Sequence, residues 1–194
     1  MSIPISENIK TFKSELPENV ALVAVSKTKP NADLMEAYQA GQRIFGENKI
    51  QEMTDKWEAL PKDIEWHMIG HVQSNKVKYM APYVSLIHAV DKMKLLKEVN
   101  KRAKQNERTI RCLLQLKIAE EDSKFGMSKE DLMALLEDKR LTEYENVKVV
   151  GLMGMATFTD DEAQIEREFS VLKNTYDELQ QEHENLEILS MGMS

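Results

Sequence analysis

Residues 20–31 read VALVAVSKTKPN: an uncharged, β-branched run that stops abruptly at two lysines and a proline. Its apolar part is nearly continuous rather than alternating, as expected of a strand covered on both faces in a parallel sheet. Working outward, comparable runs recur at RIFG (43–46), IEWHMIG (64–70), VSLIHAV (84–90), IRCLLQLKI (110–118), VKVVGLMGM (147–155) and LEILSMG (186–192). Amphipathic stretches separate them. Ile50, Met53, Trp57 and Leu60 fall on one helical face, and so do Ile165, Phe169, Leu172, Tyr176 and Leu179. A first helix, roughly Ser6 to Leu16, precedes the first strand. Ser128 with Asp131, and Thr159 with Glu162, resemble capping boxes, and Asp91 precedes the periodic run Met93, Leu96, Val99. Strand–helix alternation without hairpin signals predicts α/β structure with a parallel sheet. An open doubly wound sheet and a (β/α) barrel both fit. The first strand is not followed by G-x-G-x-x-G, which weakens a dinucleotide-binding version. The strand runs number one fewer than a closed barrel uses.

The 194 residues, 42% hydrophobic and 30% charged, suit an ordinary globular protein of one large domain or two small ones. A net charge of -7 argues against nucleic acid or an anionic membrane surface as partner. The chain has no apolar window long enough for a membrane span and no signal-peptide pattern at its start, so a cytoplasmic location is expected. The lone Cys112, within IRCLLQLKI, reads as an inert buried thiol.

Lys27 is the residue that the opening stretch sets apart. In either architecture ligands gather at the carboxyl ends of parallel strands. A poorly hydrated amine stationed there loses its charge more readily, becomes a nucleophile, and characteristically forms a Schiff base with a carbonyl compound or pyridoxal phosphate. The plain alternative is a lysine that reaches into solvent. Lys29 points the same way in an extended chain, so periodicity does not choose between the two.

Other strand ends carry polar groups. Asn48, in FGENKIQEM, either faces a ligand or caps the next helix. His67 and His71, in WHMIGHVQSNK, have a spacing found in metal sites, but the intervening glycine breaks a shared helical face. The favoured expectation is no metal, with His67 hydrogen-bonded in a polar interior and Ser74 or Asn75 capping the next helix. His88 reads as a satisfied core or strand-end histidine and His183 as surface. The loop IAEEDSKFG is placed either as a lid or as a solvated connection. GLMGMA and LSMGMS close the last two strands with small residues that let a ligand approach the backbone.

As a set, AVSKTKP, FGENKIQE, WHMIGHVQSNK, KFG, GLMGMA and LSMGMS resemble the pyridoxal-phosphate homeostasis proteins (the YggS/PROSC family) over essentially the whole chain. The resemblance implies a single TIM-type barrel domain spanning 1–194, like the N-terminal domain of alanine racemase. It implies pyridoxal 5'-phosphate (PLP) held as a Schiff base on Lys27 rather than Lys29, with Asn48, His67, Gly70 and Met153 lining the pocket and Ser194 contacting the phosphate. It also implies a further helix and an eighth strand, bringing more phosphate ligands and an arginine facing the pyridine nitrogen. The sequence ends at Ser194, so the expectation is a barrel missing that unit and holding its cofactor weakly. The implied role is intracellular PLP homeostasis, with PLP-dependent apo-enzymes as candidate recipients and a monomer or weak homodimer as the assembly. The alternative is a PLP-dependent racemase or decarboxylase of the same barrel type. Racemisation needs a base on each face of the cofactor. The related enzymes take one base from a second domain, which this sequence does not supply.

Overall fold

The structure, a computed structural model, describes residues 4–120 and 125–191. Its centre is a parallel seven-stranded sheet in the order β1-β2-β3-β4-β5-β6-β7, every strand pairing with its neighbour in sequence. The strands are β1 (Ala24–Val25), β2 (Ile44–Glu47), β3 (Glu65–Met68), β4 (Leu86–Val90), β5 (Ile110–Gln115), β6 (Val147–Met153) and β7 (Ile188–Ser190). Six fall within the apolar runs read from the sequence, and β2 extends one residue past its run, to Glu47. Helices α1 (Ile5–Glu15), α2 (Asn31–Gln39), α3 (Ile50–Ala59), α4 (Val77–Met80), α5 (Met93–Gln105), α6 (Lys129–Glu137), α7 (Lys139–Thr142) and α8 (Glu162–Gln180) fill the sequence around and between them. The sheet curls into an open barrel. Among the described residues, β1 pairs only with β2 and β7 only with β6.

Alternation along each strand divides the apolar residues between two layers. Phe45, Trp66, Met68, Ile87, Cys112, Leu114 and Leu152 point outward and form one cluster with helical residues such as Met53, Leu96, Leu132 and Leu172. Leu86, Ala89, Leu113, Val150 and Met153 form a smaller cluster on the concave face. Sequestration of Cys112 in the outer layer pushes its thiol far up, so it is inert as expected. Pairing of β6 with β7 is close enough that a side chain at Gly151 would sit 1.8 Å from the Ile188 carbonyl oxygen, so this position tolerates only glycine.

Helix starts follow the sequence at some positions and depart at others. Ser128 accepts the Asp131 N–H at 3.0 Å, the expected cap of α6. The cap of α8 is Asp161, accepting from Gln164 N–H at 3.1 Å, two residues beyond the expected Thr159; a carboxylate near the positive helix end is the stronger acceptor. Ser74–Lys76 form a short 3-10 turn, and neither Ser74 nor Asn75 caps α4. Lys92, not Asp91, is the cap residue of α5. Among the described residues no helix is long and apolar enough to cross a membrane.

Candidate functional site

Because every strand runs the same way, all seven carboxyl ends share one rim, and Lys27, Asn48, His67, Gly70 and Met153 lie there or just inside it. Val25, Gly46 and His67 lie in one row across the first three strands. Lys27 leaves the sheet two residues past Val25. It is partly buried, and its amine has no hydrogen-bond or ion-pair partner among the described residues. It sits in a β-turn closed by the Lys29 N–H donating to the Ser26 carbonyl at 3.0 Å. Thr28, the third residue of that turn, has φ +63°, a conformation usually left to glycine or asparagine.

A buried ionic cluster surrounds the same turn. The Lys56 ammonium, on α3, donates to the Ser26 carbonyl, Glu47 Oε1 and Glu52 Oε1, each at 2.7 Å. The Ser26 hydroxyl donates to Glu47 Oε1 at 2.7 Å, and the Thr28 N–H donates to Glu52 Oε1 at 2.6 Å. The Lys56 side chain is 7% exposed and that of Glu47 is fully buried. Burial pushes the Glu47 carboxyl up despite its bonds to Lys56 and Ser26, and its Oε2 has no partner. The hydrogen bond from Lys56 holds Glu52 below the usual carboxylate range. With three acceptors on its amine, Lys56 is a poor nucleophile; Lys27 carries no such burden.

Asn48 is exposed just beyond β2, and it does not cap α3, whose cap residue is Lys49 without a side-chain bond. Gly70 lies against it. A Cβ at Gly70 would stand 2.6 Å from the Asn48 carbonyl oxygen and 2.7 Å from its Cα, so only glycine lets the ends of β2 and β3 meet this closely. Met153 is buried in the concave cluster, and Ser194 lies outside the described residues.

His67 turns into the concavity and His71 does not. His71 stacks on Phe125 with centroids 4.5 Å apart and faces Asp91 at 3.6 Å, so the two histidines do not converge on one point. His67 Nδ1 instead meets His88 Nε2 at 3.0 Å, and His88 Nδ1 meets the Ser190 hydroxyl at 2.9 Å. Burial lowers His67 to about 4, and burial with the neighbouring His67 lowers His88 to about 3. Both rings are therefore neutral near pH 7. The sequence left His88 as a satisfied core or strand-end histidine; its satisfaction comes from groups 21 and 102 residues away.

Glu168 of α8 ties two further strand-end loops together. It accepts from the Thr157 N–H at 2.6 Å, the Thr157 hydroxyl at 2.7 Å and the Glu120 N–H at 3.0 Å. Burial opposes its ionisation, but these bonds outweigh it and hold the carboxyl at about 2. Of the IAEEDSKFG loop, residues 121–124 lie outside the described residues, so its reading as a lid falls there too. Two cavities lie away from the concave face. One of about 440 Å³ opens near Leu16, Leu22 and Ile44, and one of about 580 Å³ lies on the outer side of the lysine turn beside Lys29 and Asn31.

Comparison with known proteins agrees with this architecture. The sequence profile described as alanine racemase, N-terminal domain, matches residues 4–194. The pyridoxal phosphate homeostasis protein of Aquifex aeolicus is 41% identical over 180 residues, covering 91% of this chain and 78% of its own. That of Pasteurella multocida is 35% identical over 198 residues, covering 98% and 84%. PipY of Synechococcus elongatus, solved without PLP, superimposes with a TM-score of 0.90 at 36% identity, covering 98% of this chain and 89% of that one. The same protein solved with PLP bound gives 0.86. Alanine racemase of Streptomyces lavendulae, 17% identical, gives 0.82 over 97% of this chain and 50% of its own, a likeness of fold. The chain thus belongs to the family of pyridoxal phosphate homeostasis proteins, built on the alanine racemase N-terminal domain.

Proposed function

We propose that this protein binds PLP at the carboxyl rim of its sheet, attached through Lys27, and takes part in intracellular PLP homeostasis without robust catalysis of its own. The observation that carries the reading is the partnerless, partly buried amine of Lys27 beside a concave face whose buried imidazoles are uncharged. The residues present fit the cofactor. Val25, 47% exposed in the row that also holds Gly46 and His67, offers an uncovered apolar surface to a flat ring, with Met153 on the same concave face. Asn48 is free to offer its amide at the rim. Ser194 is proposed, from the family resemblance, to meet the phosphate. PLP binding by PipY, a relative at 36% identity, supports the same ligand here.

When bound, the cofactor supplies an aldehyde that condenses with an amine to give a C=N bond and water. Lys27 provides that amine. Gly70 keeps Asn48 at the rim, and the concave apolar cluster limits water. The histidines favour a holder over a racemase. His67 spends its Nδ1 on His88, and burial weakens both rings as bases at neutral pH, whereas racemisation requires a competent base on each face of the cofactor.

The test is an absorbance titration with PLP. The wild type should develop a visible band that Lys27→Ala abolishes; a band surviving the substitution removes Lys27 as the anchor. Incubating the loaded protein with common L-amino acids should leave their optical activity unchanged, and sustained loss would make the protein a racemase.

A further inference from the structure

We propose that Glu47, Glu52 and Lys56 are positioning residues for Lys27, holding a strained turn that fixes where its amine emerges. The proposal rests on Lys27 being the reactive amine. The three side chains contact the residues on either side of Lys27 and leave Lys27 itself alone. Lys56 and Glu47 grip Ser26, through its carbonyl at 2.7 Å and its hydroxyl at 2.7 Å. Glu52 grips Thr28 through its N–H at 2.6 Å. Lys56 links the two carboxylates, at 2.7 Å to each.

Stability is a poor explanation for this arrangement. A buried ion pair commonly repays little of the solvation it loses, and apolar residues of similar size often serve a fold as well or better. The cluster also sits on a threonine in the left-handed region, φ +63°, which a β-branched residue adopts only when its surroundings enforce it. Two unfavourable features thus coincide on three consecutive residues, and the middle one is Lys27. Strain held by a rigid shell beside a reactive group is how a fold fixes a direction of approach. With Ser26 and Thr28 both fixed, the Cα–Cβ bond of Lys27 has one direction, and only the side-chain torsions remain to place the amine. The cluster also keeps the Lys56 amine occupied, so it does not compete with Lys27 at this point of the rim.

The experiment measures the rate of visible-band formation with PLP, thermal unfolding, and amide exchange at Thr28 for the wild type, Glu52→Ala, Glu52→Gln and Lys56→Met. Glu52→Ala removes both of the Glu52 contacts; Glu52→Gln keeps a carbonyl acceptor for the Thr28 N–H. Expected for Glu52→Ala is faster exchange at Thr28 and band formation slowed about tenfold to a hundredfold, since small misplacements of a reacting group cost rates of that order. Glu52→Gln should recover much of that rate. Lys56→Met, if folded, should be slower still. Should it fail to fold, the Glu52 pair decides alone. Glu52→Ala forming its band at the wild-type rate overturns the proposal, even if its melting temperature drops, because that outcome marks a purely structural cluster. Retention of the band in Lys27→Ala would overturn the underlying reading of Lys27, a result independent of the Glu52 variants.

Discussion

His88 stands between His67 and Ser190, and a neutral imidazole has one hydrogen to share between two nitrogens. If His88 donates through Nε2 to His67 Nδ1, Ser190 must donate to His88 Nδ1; if the hydrogens reverse, every member reverses. The free Nε2 of His67 is therefore a donor in one arrangement and an acceptor in the other. Neutrality also has a consequence for stability. Both folded histidines titrate well below the ordinary 6.5, at about 4 and about 3, so the unfolded chain binds more protons than the folded one between those limits. Their contribution is complete above about pH 6.5 and is lost as pH falls toward 4, at up to about 1.4 kcal/mol per pH unit for each ring. Urea midpoints between pH 6.5 and 5 should fall with acid, and His88→Leu should flatten that slope by about one proton. An unchanged slope in the variant would show that His88 is not held neutral. Glu168, held at about 2, loses its share only below about 4.5. Glu47, pushed up by burial, titrates above about 4.5 with the opposite sign, so the test is the difference in slope between wild type and His88→Leu.

Glu168 acts between elements: one side chain of α8 closes the loop after β6 through Thr157 and the loop after β5 through Glu120. Hydrogen bonds to a charged acceptor are each worth about 1.5–3 kcal/mol, so Glu168→Ala, which also leaves two loop N–H groups unpaired, should destabilise by about 2–3 kcal/mol in chemical unfolding. A loss under about 0.5 kcal/mol would mean the two loops hold their places unaided. This residue was invisible in the sequence, where a glutamate among the polar positions of an amphipathic helix reads as solvated. Lys56 was hidden likewise, three residues after Met53 on a helix whose apolar stripe drew attention to Trp57 instead. Local signals did better where one element decides the outcome. Ser128 with Asp131 marked a true cap, whereas Thr159 lost its role to the stronger acceptor Asp161 close by.

Across the molecule, continuous apolar runs identified every strand because both faces of this sheet are covered, one by helices and one by its own curvature. The choice between an open doubly wound sheet and a barrel was not legible in periodicity, since both need the same runs; strand order decides it, and order is a property of long-range pairing. The site was legible in one dimension only. Lys27, Asn48, Gly70 and Met153, the residues proposed for the site, stand at the ends of β1, β2, β3 and β6, which parallel topology gathers without any local signal. The His67–His88–Ser190 chain, by contrast, joins residues on three strands that no spacing relates. At the assembled rim the half-buried amine of Lys27 has no partner among the described residues, while the nearby Lys56 amine has three acceptors. Borohydride reduction of the protein with PLP, followed by peptide mapping, reads that distinction directly. The account predicts a single phosphopyridoxyl adduct on Lys27; an adduct on Lys29 or Lys56, or none on Lys27, would contradict it.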